Sequence, residues 1–174
     1  MMKLVIINGY PASGKSTLAF KYAKEHNFAL IIQDHFLFKM NPSSLKTKKP
    51  NGLDHEIALI NILSCLENYM SKGKNIVVEG ALVSISNDNP MHISHFIKLS
   101  KKYKYKTIII SLIASNKVRK RRQIKRGNTL LARTDSKLVN ANNLLNLTID
   151  SHRVDTTKLS IKKSIEEIDQ IIHK

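Results

Sequence analysis

At 174 residues, 42% of them apolar, the chain can bury one hydrophobic core and is short for two, so a single domain over residues 1–174 is expected. The lone Cys65 excludes an intramolecular disulfide, and paired Cys/His spacing of the zinc-framework kind is absent. No apolar stretch approaches the roughly 20 residues that span a bilayer, and 29 Lys+Arg against 13 Asp+Glu leave a net charge of +16.

In chain order, the apolar run 4–8 predicts a strand, and Leu18, Ala19, Tyr22 and Ala23 give residues 16–26 a helical spacing. Residues 28–33 predict a second buried strand ending at Asp34. Residues 39–52 hold two prolines and four lysines without periodicity and read as a mobile basic loop. Asp54 is the expected cap of a helix whose apolar face is Leu59, Leu63, Leu66 and Met70. Residues 75–79 predict a third strand, 84–90 a polar loop, and Pro90 or Met91 the start of a helix to about Lys102. Residues 107–113, apolar on both faces, predict a central parallel strand. Residues 116–126 have helical character with only Val118 and Ile124 apolar, which excludes an ordinary core helix. A short helix at 136–143, a fifth strand within 145–154 and an amphipathic helix at 160–172, with Ile161, Ile165, Ile168 and Ile172 on one stripe, complete an α/β pattern.

Gly9-Tyr10-Pro11-Ala12-Ser13-Gly14-Lys15-Ser16-Thr17 fits G-x-x-x-x-G-K-[ST] without deviation. The spacing follows from its chemistry: backbone N–H groups wrap a phosphate, Gly14 lets the backbone come close, and the helix amino terminus adds a favourable dipole. Lys15 is then expected to neutralise the β and γ phosphates of a nucleotide, and Ser16 to offer its hydroxyl to Mg²⁺. Gly9, Pro11, Ala12, Ser13, Gly14, Lys15, Ser16 and Thr17 are the expected nucleotide-binding residues. A guanine-reading N-K-x-D fails at Arg119 in Asn116-Lys117-Val118-Arg119, and no D-x-x-G follows the third strand.

Five of the six arginines, Arg119, Arg121, Arg122, Arg126 and Arg133, fall within fifteen residues, whereas lysines are scattered. That clustering points to planar recognition of phosphate or carboxylate. Arg119, Arg122 and Arg126, at i, i+3 and i+7, share a helical face, where like charge is costly until an anion arrives. The overall charge has two readings, a nucleic-acid partner and a coding bias toward Asn, Ile and Lys.

Taken in order, the phosphate loop, the acid in Gln33-Asp34-His35-Phe36, Ile76-Val77-Val78-Glu79-Gly80, the series Arg119 to Gly127, and Asp155-Thr156-Thr157 resemble the small P-loop kinases. The nearest likeness is to the branch with chloramphenicol phosphotransferase, zeta-toxin kinases and the kinase domain of polynucleotide kinase. The resemblance implies a five-stranded parallel sheet of order 2-3-1-4-5 between helices, with an arginine-rich lid at about 116–135, and ATP and Mg²⁺ as cofactors. It places Lys15, Asp34, Arg122, Arg126 and Arg133 in catalysis. It also puts Glu79 on Mg²⁺ through water and Asp155 and Thr156 beside the adenine, and counts Arg122 among the nucleotide-binding residues. Independently, a carboxylate at the carboxyl end of a parallel strand faces the crevice beside the phosphate loop and can deprotonate an alcohol there. A cap of the following turn is the alternative for Asp34, and a solvated strand end the alternative for Glu79; the two could also exchange roles.

The functional expectation is γ-phosphoryl transfer to a hydroxyl on a small or nucleotide-like acceptor, by a cytoplasmic monomer or homodimer with no membrane partner. A polynucleotide 5′-hydroxyl kinase is the first alternative, favoured by the basic loop but lacking an aromatic stripe for stacked bases. A non-catalytic, nucleotide-dependent switch acting on nucleic acid or a partner is the second.

Overall fold

The computed structural model describes residues 1–40, 51–80, 92–126 and 151–174. Eleven elements occur there. They are β1 (Lys3–Gly9), α1 (Lys15–His26), β2 (Ala29–Ile32), α2 (Gln33–Lys39), α3 (Gly52–Ser71), β3 (Ile76–Gly80), α4 (His92–Lys102), β4 (Lys106–Ile113), α5 (Asn116–Lys125), β5 (His152–Asp155) and α6 (Ile161–His173). The strands form one parallel sheet in the expected order β2-β3-β1-β4-β5.

β1 is central, and Leu4, Val5, Ile6 and Ile7 are fully buried because helices cover both faces of the sheet. Strand alternation divides them. Val5 and Ile7 pack with Leu18, Ala19 and Tyr22 of α1 and with Ile165, Ile168 and Ile172 of α6. Leu4 and Ile6 pack with Ile62, Leu66 and Met70 of α3 and with Ile93 and Phe96 of α4. No helix among the described residues is long and apolar enough to cross a membrane.

Several boundaries differ from expectation. The second strand stops at Ile32, and Gln33 opens a seven-residue helix, α2, which buries only Gln33 and Leu37. Gln33 turns inward because Gly80 leaves it room: a Cβ at Gly80 would collide with the Gln33 side chain. Asp34 therefore lies in the first turn of a helix rather than at a bare strand end.

The cap of α3 is Asn51, not Asp54. Asn51 Oδ1 accepts the Asp54 N–H at 2.8 Å, and Asp54 Oδ2 accepts the Asn51 N–H at 2.9 Å. The buried face of α3 is Ala58, Ile62, Leu66 and Met70, with Leu59 and Leu63 at its partly buried margin. The small Ala58 lets the helix approach the sheet along a line one residue away from the leucine stripe.

In α5 the buried residues are Arg119 and Gln123, while Ile124 is exposed. α6 is capped by Ser160, whose Oγ accepts the Lys163 N–H, and Ile161 in its first turn is 45% exposed rather than in the core. The loop at 84–90, the helix at 136–143, most of the basic loop and the part of the lid from 127 to 135 lie outside the described residues.

Candidate active site

β1 ends at Gly9 with φ +148°, where a Cβ would strike the Leu112 carbonyl of β4. The chain then turns through Ala12, at φ 62°, and the Ser13 N–H closes on the Tyr10 carbonyl at 3.1 Å. Gly14, at φ +106°, is the N-cap of α1 and supplies no side-chain cap. The first N–H groups of α1 thus open onto the loop, which is the requirement for an anion at a helix amino terminus.

Parallel pairing of Ile7 with Glu79 sets the strand-end acid beside this loop. Ser16 Oγ donates to Glu79 Oε1 at 3.2 Å, and Lys15 Nζ lies 3.9 Å from the same oxygen while donating to the Tyr10 carbonyl at 3.0 Å. Glu79 is 1% exposed, and its Oε2 is buried without a hydrogen-bond partner among the described residues. Burial pushes the Glu79 pKa up, Lys15 opposes the shift, and the nearby Asp34 charge adds to it. Burial pulls the Lys15 pKa down, with Glu79 and Asp34 opposing. Asp34, exposed in the first turn of α2, is therefore close enough to act electrostatically on both groups. His35 beside it is exposed.

The arginines of α5 are placed behind the loop. A phosphate loop turns its N–H groups inward, so its carbonyls face outward and need partners. Arg119, 3% exposed, donates from Nε to the Pro11 carbonyl at 3.2 Å and from Nη1 to Asn116 Oδ1 at 3.0 Å, and lies 4.9 Å over the Tyr10 ring. Arg122 Nη1 reaches the Ala12 and Ser13 carbonyls, each at 3.2 Å, and its Nη2 donates to the Thr156 carbonyl at 2.8 Å. Thr156 Oγ1 donates to the Ser13 carbonyl at 2.7 Å. Three consecutive loop carbonyls are thereby braced from α5 and from the end of β5. The sequence signal for this bracing was the arginine cluster; the carbonyl partners carry no side-chain signature.

A cavity of about 480 Å³ adjoins the loop, with Ser13, Gly14, Thr17, Arg122, Arg126 and Thr156 among its walls and Leu18, Leu159 and Ile161 as apolar lining. Arg126 is exposed at its edge. Asp155 is not one of its walls; it is exposed, and its carboxylate accepts the Thr157 N–H at 2.8 Å. The structure thus gathers Lys15, Ser16, Glu79 and Asp34 on one side of the loop and Arg122, Arg126 and Thr156 on the other. Arg133 lies outside the described residues. The contribution of Tyr10 was missed in the sequence: its ring is the platform beneath Arg119, and burial raises its pKa to about 12.

A glycine-hinged phosphate loop between the central strand and first helix of a 2-3-1-4-5 parallel sheet defines a P-loop nucleotide-binding domain of the kinase fold. The chain belongs to the AAA_33 family, described as an AAA domain, whose model matches residues 4–145. No curated protein matches the sequence. Among solved structures, a sugar kinase from Janibacter sp. HTCC2649 is similar over 99% of this chain and 95% of its own, at 15% identity and TM-score 0.66. A gluconokinase from Sinorhizobium meliloti 1021 is similar over 98% of this chain and 94% of its own, at 15% identity and TM-score 0.63. The Mycobacterium tuberculosis APS kinase, in complex with AMPPNP and APS, is similar over 99% and 98%, at 14% identity and TM-score 0.63. At such identities the likeness establishes the fold.

Proposed function

We propose that the protein is an ATP-dependent kinase that transfers the γ-phosphoryl group to a hydroxyl of a small or nucleotide-like acceptor. The observation that carries this reading is the phosphate loop with the buried Glu79 at its Lys15 amine and Ser16 hydroxyl, next to a strand, β2, whose end leads directly into Asp34. The solved neighbours include kinases of small hydroxyl compounds, which supports the same class.

The residues fit Mg²⁺ and a nucleotide. A buried carboxylate oxygen without a partner, next to a serine hydroxyl, suits an ion that keeps several waters and few protein ligands. Ser16 would hold the ion directly and Glu79 through water, and the ion would neutralise charge between the β and γ phosphates. Lys15 would exchange its contacts with the Tyr10 carbonyl and Glu79 for the phosphates. Asp34 would orient the acceptor hydroxyl and take its proton as the oxygen attacks phosphorus in line with the departing β-phosphate oxygen. Arg126, exposed at the cavity edge, together with Arg133 would meet the charge on the leaving oxygen. Arg122 would stiffen the loop and border the nucleotide, and the apolar wall Leu18–Leu159–Ile161 would take the base, with Thr156 beside it; Asp155 would act only through its bond to the Thr157 N–H.

The test is transfer from γ-labelled ATP across a library of sugars, nucleosides and 5′-hydroxyl oligonucleotides. Lys15→Ala is expected to abolish ATP turnover without unfolding the domain, and Asp34→Asn to reduce turnover by about 10²–10⁴-fold. Full activity in Asp34→Asn would remove the base assignment. Transfer to oligonucleotides alone would favour the polynucleotide kinase, and ATP binding without any acceptor would favour a switch.

A further inference from the structure

The far end of α1, about 17 Å along the helix from the phosphate loop, meets the last turn of α6 in a cluster of three metal-ligating side chains. His26 Nε2 lies 3.4 Å and His173 Nε2 3.2 Å from one atom, Asp169 Oδ1, and the three ligand atoms lie within 4.8 Å of one another. Donors around a four-coordinate zinc ion, each about 2.0–2.1 Å from it, stand about 3.3 Å apart. Two edges of the cluster therefore already have the length that a tetrahedral site requires.

The orientation is built rather than incidental. Asp169 and His173 are one turn apart on the same face of α6. The His26 ring is stacked on Tyr22, centroids 4.2 Å apart and planes at 23°. Tyr22 is itself fully buried, and its hydroxyl reaches Asp169 Oδ1 at 3.5 Å, the position of an outer-shell donor that steadies a ligating carboxylate. The three ligand side chains are between 29% and 55% exposed, which leaves an entry path for an ion.

We propose that His26, Asp169 and His173 form a divalent transition-metal site of the zinc class, closed by solvent in the fourth position, that clasps α1 to α6. Two imidazoles and one carboxylate suit Zn²⁺ or Co²⁺ and are a poor set for Mg²⁺, which prefers oxygen donors. The site is thus chemically separate from the ion expected at Ser16, and it does not depend on the kinase reading.

The experiment uses the full chain, stripped with a chelator and titrated with Zn²⁺ against a chromogenic competitor, with Co²⁺ visible absorption as a second readout. One tightly competing equivalent of Zn²⁺ is expected, together with Co²⁺ bands of tetrahedral intensity. His173→Gln and Asp169→Asn should each weaken that equivalent by about ten-fold or more, while the control His95→Gln/His152→Gln should keep it. At a Zn²⁺ concentration that just saturates the wild type, its melting temperature should rise by about 5 °C, and that of His173→Gln should rise by clearly less. Absence of a bound equivalent in the wild type, or wild-type affinity in His173→Gln, would overturn the proposal. His173 is on the exposed side of the last turn, so its variant remains decisive even if His26→Gln disturbs the Tyr22 stack.

Discussion

Replacing Arg119 by alanine tests whether the phosphate loop is held in shape from outside. The side chain is 3% exposed and supplies a charge-assisted hydrogen bond to the Pro11 carbonyl and a cation over the Tyr10 ring. The hydrogen bond is worth about 1.5–3 kcal/mol and the ring contact about 0.5–2 kcal/mol. Both act on the same loop and are not additive, so a net loss of about 3 kcal/mol is expected. For a domain of this size that corresponds to a melting temperature lower by about 6–12 °C. Arg119→Lys keeps the charge above the ring but lacks the fork that reaches Pro11 and Asn116 together, and should lose about half as much. Urea unfolding at fixed ionic strength gives the stability term, and nucleotide titration gives the functional one. ATP affinity should fall in both variants even at temperatures where each is fully folded, because Tyr10 and Pro11 then sample conformations that turn the loop N–H groups away from phosphate. A urea midpoint and an ATP affinity both unchanged in Arg119→Ala would refute the bracing.

Glu79 has a pKa above the ordinary carboxylate value, so the folded state binds more protons than the unfolded one between those two values. Its contribution makes stability fall as pH rises through that window. Lys15, with its pKa lowered, contributes the opposite slope at alkaline pH, where stability rises as its proton is lost. Glu79→Gln should therefore gain stability relative to the wild type as pH rises through that window in the nucleotide-free protein; a difference between the two that does not change with pH would show that Glu79 is not the titrating group. Gly80→Ala should lower stability by about 1–3 kcal/mol, because the new Cβ meets the Gln33 side chain at the start of α2. Thermal unfolding reads that loss, and Asp34 should lose alignment with it, lowering kcat more than a change in stability alone would.

The sheet and the nucleotide loop were legible because their signals are local. Four consecutive apolar residues in β1 and the spacing of Leu18, Ala19, Tyr22 and Ala23 follow directly from the two periodicities, and all of these residues are buried as that spacing requires. What escaped was set by partners distant in the chain. Arg119 and the Pro11 carbonyl are 108 residues apart, so the cluster could be read as charge awaiting an anion but not as a brace for carbonyls. α2 is too short to show a period, and its existence depends on the space left by Gly80. The leucines of α3 outweighed Ala58 on hydrophobicity alone, whereas closeness of approach decided which line faces the sheet.

The pairing of Ile7 with Glu79 joins the chemistry of the site to the alignment of two neighbouring strands. A slip of β3 by one residue would turn Glu79 to the opposite face of the sheet, bring Val78 or Gly80 level with Ile7, and force a carboxylate among apolar helices. Such a misaligned sheet loses its core and the contact of Glu79 with Lys15 and Ser16 in the same step. Folding of the centre and assembly of the site thus depend on one mechanical degree of freedom, the register of β3 against β1.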